Sequence, residues 1–153
     1  MTTNPEKKRQ NLEQLALARF KEVALEKNMK VYGSQGKGNR IAISGRSYFQ
    51  FGDLRVETPQ RTLIVEAESA GGATNQVKYW YCLGKGHITR PIHLMHIFAQ
   101  NSENDYQSHL DLWDFLAQKM ASDLGNMFTA KRYTYRNTSD LESIVKEFQG
   151  LLN

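Results

Sequence analysis

Two strand-like runs, Ser47 to Glu57 and Thr62 to Glu68, flank Thr58-Pro59-Gln60-Arg61, and no other feature constrains the fold of this chain so tightly. Proline in a turn presets the backbone for a reversal. Folding back between Pro59 and Gln60 pairs Arg55 with Ile64 and Asp53 with Glu66. Side chains alternate across a strand, so Leu54 and Val56 then share a face with Leu63, Val65 and Ala67. The other face carries Asp53, Arg55 and Glu57 from one strand, and Thr62, Ile64, Glu66 and Glu68 from the other. A one-residue slip would destroy this sorting. Ile64 among polar neighbours is the one misfit.

Directly opposed Cβ atoms lie about 5 Å apart. Asp53, Glu66 and Glu68 would therefore gather on one face. Like charges placed opposite each other destabilise a sheet, although basic residues were at hand to pair with them. A divalent cation removes the repulsion, and hard carboxylate oxygens suit Mg2+ or Mn2+. The ordinary alternative is an amphipathic hairpin with a solvated charged face.

Around this hairpin the pattern predicts alternating helices and strands. Asn4-Pro5 opens a first helix with a capping side chain and a proline at its first position. Leu12, Leu15, Ala16, Phe20, Val23 and Ala24 give it an apolar stripe ending near Asn28. Residues 33–38 are a glycine-rich loop. A strand is expected at about Arg40 to Ser44, with Gly45-Arg46 as a tight turn into the next. A helix from about Thr74 to Leu83, closed by Gly84, precedes an apolar strand from Pro91 to Phe98. Ser102 to Asp105 and Ser139 to Glu142 have capping-box spacing. They introduce helices with Tyr106, Leu110, Trp113, Leu116, Met120 and Leu124, and with Leu141, Ile144, Val145, Phe148 and Leu152, facing inward. Phe128 to Arg136 is strand-like. The expected fold is α/β, a mixed central sheet with helices on both faces, in a single domain over 1–153.

The element order and the Asp53 … Glu66-x-Glu68 spacing resemble the PD-(D/E)XK nuclease superfamily, the restriction-endonuclease-like fold. The resemblance implies an αβββαβ core over about 5–100 and a peripheral αβα extension over about 101–153. It implies a metal-dependent nuclease hydrolysing phosphodiester bonds of DNA. Asp53 and Glu66 would ligate Mg2+ or Mn2+, with Glu68 as a further ligand or base. The sequence departs from the family pattern at two places: Gly52-Asp53 replaces Pro-Asp, and Glu68 stands where a lysine usually does. A minority of restriction endonucleases resemble this chain in having Glu there. Lys78 on the following helix is a candidate for a relocated lysine, and Arg55 a weaker one. Gln76, with Tyr79 and Trp80, resembles the glutamine and aromatic of RecB-like nucleases. Glu22 or Glu26 would be a further acid, as in some relatives, unless they sit on a solvated face.

Lys37, Arg40 and Arg46 are candidate contacts to a phosphate backbone. Lys131, Arg132 and Arg136, interleaved with Tyr133 and Tyr135, suit nucleic acid, or an edge strand kept soluble by charge. A P-loop is excluded, because glycine and not Ser or Thr follows Lys37, and a helix precedes the loop. His93 and His96 on a strand point to opposite faces, so no zinc site is read, and the histidines are taken as structural or surface residues. The single cysteine, Cys82, permits no internal disulfide and reads as core. A charged start, no apolar run of membrane-spanning length and one cysteine lead to an expected cytoplasmic location without membrane partners. The net charge of +4 favours a polyanion. A homodimer would let so short a nuclease span duplex DNA. The competing readings are a catalytically inactive nuclease-fold module holding nucleic acid or a protein partner, and a subunit of a larger complex using the Tyr106–Leu124 helix as its interface.

Overall fold

The computed structural model describes residues 4–34 and 36–153; the first three residues of the charged start and Gln35 of the glycine loop lie outside them. In chain order the elements are α1 (Pro5–Glu26), β1 (Val31–Gly33), β2 (Arg40–Ser44), β3 (Ser47–Gln50), β4 (Leu54–Glu57), β5 (Thr62–Glu68), a 3-10 turn (Ala73–Gln76) running into α2 (Val77–Gly84), β6 (Ile92–Ala99), α3 (Gln107–Leu124), β7 (Phe128–Tyr135) and α4 (Thr138–Leu151). A five-stranded mixed sheet has the order β1-β4-β5-β6-β7, and β2 and β3 form a separate two-stranded sheet. The β1/β4 and β4/β5 pairs are antiparallel; β5/β6 and β6/β7 are parallel.

The register of β4 and β5 is the one the alternation demands: Leu54 pairs with Val65, Arg55 with Ile64 and Val56 with Leu63. The predicted strand from Ser47 to Glu57, however, is broken. Gly52 takes φ of +84°, and a Cβ there would lie 2.5 Å from Ile64 Cγ2. Only glycine fits a chain bent this closely onto β5. The bend sends β3 out of the main sheet, so the strand beside β4 is the short β1. The sequence concealed β1 because three residues ending in glycine make no periodic pattern.

One face of the sheet is covered by α1 and α4. Phe20, Val23 and Ala24 of α1 and Leu141, Ile144, Val145 and Phe148 of α4 are buried with Leu54, Val56, Leu63, Val65, Met95 and Ile97. Phe20 and Phe148 meet edge to face with centroids 4.8 Å apart, a favoured aromatic geometry. Leu15, expected inward, is 46 % exposed because it stands one position off the row that buries Ala16 and Phe20.

The opposite face is also covered. Ile64, Ile92 and Leu94 pack with Tyr79 and Cys82 of α2, Met120 of α3 and Ile41 of the β2–β3 hairpin. This explains the misfit at Ile64: the face it shares with Glu66 and Glu68 is an interior one.

Asn4 caps α1 as predicted, accepting from Glu6 N at 2.9 Å. The other two caps differ. Asn137, not Ser139, caps α4 by accepting from Asp140 N at 2.9 Å. Ser102 to Asp105 forms a turn before α3, in which Asp105 accepts from the backbone N–H of Asn101 and Ser102. No helix of the described residues is long and apolar enough to cross a membrane.

Candidate active site

The C-terminal half of β5 delivers Glu66 and Glu68 to the covered face, under the turn at Ala73–Gln76 and the start of α2. Glu66 is only 3 % exposed, so the solvated charged face weighed above is not what forms there. Lys78, in the first turn of α2, places its Nζ 3.1 Å from Glu66 Oε2. Glu66 Oε1 is buried and has no hydrogen-bond partner among the described residues. Burial pushes the Glu66 carboxyl up to about 7; Lys78 opposes the rise, while the charges of Asp53 and Glu68 add to it.

Asp53 stands one residue before β4. Its backbone N–H donates to Val65 O at 3.0 Å. Its carboxylate reaches across to β5, with Oδ2 accepting from Ala67 N at 2.8 Å. Oδ1 accepts from the Gln50 amide at 3.3 Å. The expected pairing thus brings Asp53 beside the Glu66–Glu68 segment, anchored by the strand it was predicted to face.

Glu68 is held from two sides. Oε1 accepts from Asn75 Nδ2 at 2.5 Å and lies 3.1 Å from His96 Nε2. His96 is fully buried on β6, and its Nδ1 accepts from the Trp113 indole N–H at 2.9 Å. An indole can only donate, so Nδ1 is bare and the imidazole proton sits on Nε2, aimed at Glu68. Burial lowers the His96 pKa to about 3, which keeps the ring neutral. Glu68 is itself pushed up to about 7, by burial first and by Asp53, against the Asn75 hydrogen bond and Lys78. Gly72, at φ of +74°, brings backbone against this carboxylate: a Cβ there would lie 2.2 Å from Glu68 Oε2.

A fourth acid comes from α1. The Glu13 carboxyl is raised by burial and by the charges of Asp53 and Glu68, with Ser69 opposing. Glu22, by contrast, pairs with Arg19 at 3.5 Å on the surface, and Glu26 is exposed. The clue in the sequence was positional: Glu13 falls on the row of Ala16 and Phe20. His96 had a similar signal, a lone polar residue inside an apolar strand.

Other candidates lie elsewhere. Gln76 is buried, and its amide donates to Trp113 O at 3.1 Å instead of to a carboxylate. Arg55 is sandwiched between the rings of Tyr32 and Phe51, 4.0 and 4.7 Å from their centroids. It donates to Asn39 Oδ1, Gly38 O and Glu57 Oε1, tying the glycine loop to β4. It is therefore a structural clamp and not a free charge. Lys37, Arg40 and Arg46 are exposed on the glycine loop and the β2–β3 hairpin. Lys131 pairs with Glu147 and Arg132 with Asp114 on the edge strand β7.

Among the described residues no group of three or more His, Cys, Asp and Glu side chains stands ready to enclose a metal ion. The donors nonetheless suit a hard cation in chemistry: Asp53 is near enough to Glu66 to raise its carboxyl by charge, and Glu66 Oε1 is a buried acceptor without a hydrogen bond among the described residues, in the neighbourhood of the equally buried Tyr79 hydroxyl. Comparison with known proteins finds no matching family model, no curated relative and no solved structure of significant similarity.

Proposed function

We propose that this chain is a metal-dependent nuclease of the PD-(D/E)XK kind, hydrolysing phosphodiester bonds of DNA. The observation that carries the reading is the buried Glu66 carboxylate, with Lys78 on one oxygen, an unpartnered second oxygen, and Asp53 and Glu68 alongside. A buried acid with an ionisation raised to near neutrality, beside a cation, is characteristic of working sites more than of scaffolding. Taking β1, β4 and β5 as the three strands of the resemblance and β2–β3 as an insertion gives an αβββαβ order, which supports this reading.

In this reading Asp53 and Glu66 hold Mg2+ or Mn2+. The ion, when bound, supplies positive charge to the scissile phosphate and leaving oxygen and acidifies a bound water. Glu68 accepts the proton of the attacking water, and a carboxylate ionising near 7 suits that task at neutral pH. His96 Nε2–H and Asn75 fix the direction in which Glu68 presents its oxygens. Lys78 supplies the cation usually carried two residues after the second acid, restoring charge that Glu68 cannot provide. Gln76 braces the α2 turn against α3.

A plasmid and oligonucleotide cleavage assay with Mg2+ or Mn2+, with and without chelator, tests this. Purified Asp53→Ala and Glu66→Ala must abolish metal-dependent cleavage; cleavage persisting in them rejects the site. The second reading, an inactive module of the same fold, has one observation in its favour: Lys78 already neutralises Glu66, and Ala67 N–H and Gln50 already satisfy Asp53. It predicts folded, metal-indifferent protein that cleaves nothing.

A further inference from the structure

One stretch of the sequence carries basic residues and no acids. Residues 27–52 contain Lys27, Lys30, Lys37, Arg40 and Arg46 and no Asp or Glu, so the remainder of a chain of net charge +4 is slightly negative. The β2–β3 hairpin is an exposed part of that segment. Its two faces differ in kind. Ile41, Ile43 and Phe51 point inward and join the core under α2. Arg40, Tyr48 and Gln50 belong to the alternate set, with Ala42 opposite Tyr48 and Arg40 opposite Gln50.

That outer face leads to the carboxylates. Arg46 sits at the tip. Tyr48 follows, 49 % exposed, with the Arg40 guanidinium 4.2 Å from its ring centroid. Gln50 comes next, and its amide bonds both Gly52 O and Asp53 Oδ1. A cavity of about 170 Å3 lies alongside, lined in part by Asn39, Arg40, Tyr48 and Gln50. Neither Arg40 nor Arg46 has an acidic partner among the described residues.

We propose that the outer face of the β2–β3 hairpin is a binding track for single-stranded nucleic acid, with phosphates on Arg46 and Arg40 and a base stacked on Tyr48. Unpaired cations supply the phosphate attraction, which any nucleic acid shares. The exposed aromatic ring selects the single strand, since only unpaired bases offer a free π-face. Gln50 then marks where the strand passes to Asp53. The direction of the track, but not the binding itself, rests on the nuclease reading above.

Binding of fluorescent oligo(dT) and of a duplex of equal length is measured by anisotropy in chelator, on the full chain, where cleavage is silent. The expected result is at least tenfold tighter binding to oligo(dT). Tyr48→Ala should weaken oligo(dT) about tenfold or more, Tyr48→Phe should restore it, and heparin binding should be the same in all three. Arg40→Gln and Arg46→Gln should each flatten the salt dependence of log K by about 0.7 per lost phosphate contact. Equal affinity for duplex, or oligo(dT) binding indifferent to Tyr48→Ala, overturns the track, as does equal loss of heparin binding in Tyr48→Ala. Binding as described with no metal-dependent cleavage removes the nuclease and keeps the track; cleavage of oligo(dT) unaffected by Tyr48→Ala, with unaltered binding, does the reverse.

Discussion

The Lys78 ammonium stands 3.1 Å from a Glu66 carboxylate that is almost wholly buried. The lysine comes from the first turn of α2 and the glutamate from β5, so the pair fastens the crossover helix to the sheet. Removing one partner of a buried pair strands the other, at a cost of about 3 kcal/mol or more when the remaining group stays charged. Glu66 has an escape, because it can take up a proton. Lys78→Met should therefore destabilise the protein strongly at pH 8 and much less at pH 5.5. Chemical denaturation at the two values checks this, and equal losses at both would show that the pair is not electrostatically coupled. In the cleavage assay the same variant should lose activity about 100-fold or more.

The raised ionisation of Glu66 fixes the sign of its pH effect. Its carboxyl ionises near 4.5 when unfolded and near 7 when folded. Between those values the native state binds the proton more tightly, so stability falls as pH rises through the window. Glu66→Gln cannot titrate. The stability of Glu66→Gln relative to wild type should therefore rise by about 2 kcal/mol between pH 5 and pH 8 in metal-free buffer. A difference that stays flat across this range would mean that Glu66 ionises normally.

Metal binding should oppose that loss. Mg2+ at about 100 times its Kd stabilises a one-site protein by about 2.7 kcal/mol. Thermal unfolding of wild type at pH 8 should shift upward with Mg2+ and with Mn2+. Asp53→Asn and Glu66→Gln should show no shift. An equal shift in those variants would place the ion elsewhere.

The Trp113–His96–Glu68 chain makes a prediction independent of activity. Trp113→Phe removes the only donor to His96 Nδ1 among the described residues. The lost buried hydrogen bond should cost about 1–2 kcal/mol. Nitrogen chemical shifts should report a neutral Nε2–H imidazole in wild type down to about pH 4, and a mixture of tautomers in Trp113→Phe. A His96 that titrates near 6.5 in wild type would contradict its burial among these partners.

Much of this architecture was legible in the chain. The β4–β5 register followed from alternation about Pro59 and came out as Leu54 with Val65 and Arg55 with Ile64. The inward rows of α3 and α4 followed from helical spacing, and a mixed sheet with helices on both faces followed from the alternation of helices with strands. The break at Gly52 was not legible, because nothing local says that Ile64 will press against that glycine. Nor was the role of Arg55, which looked available on the strand and is enclosed between Tyr32 of the distant β1 and Phe51 just beyond the bend at Gly52.

Sequence by itself determined which side chains share a strand face, because a two-residue period is a property of the extended backbone. It placed Asp53, Glu66 and Glu68 together without the help of any other element. Only the tertiary structure decided what that face meets. Packing of α2 and α3 against the sheet buried Glu66, left Asp53 and Glu68 half-buried, and carried Lys78 to Glu66 and Asn75 to Glu68, while the neighbouring strand β6 brought His96 to Glu68. Charge placement is local, but its energetic consequence depends on dielectric surroundings that only long-range packing creates.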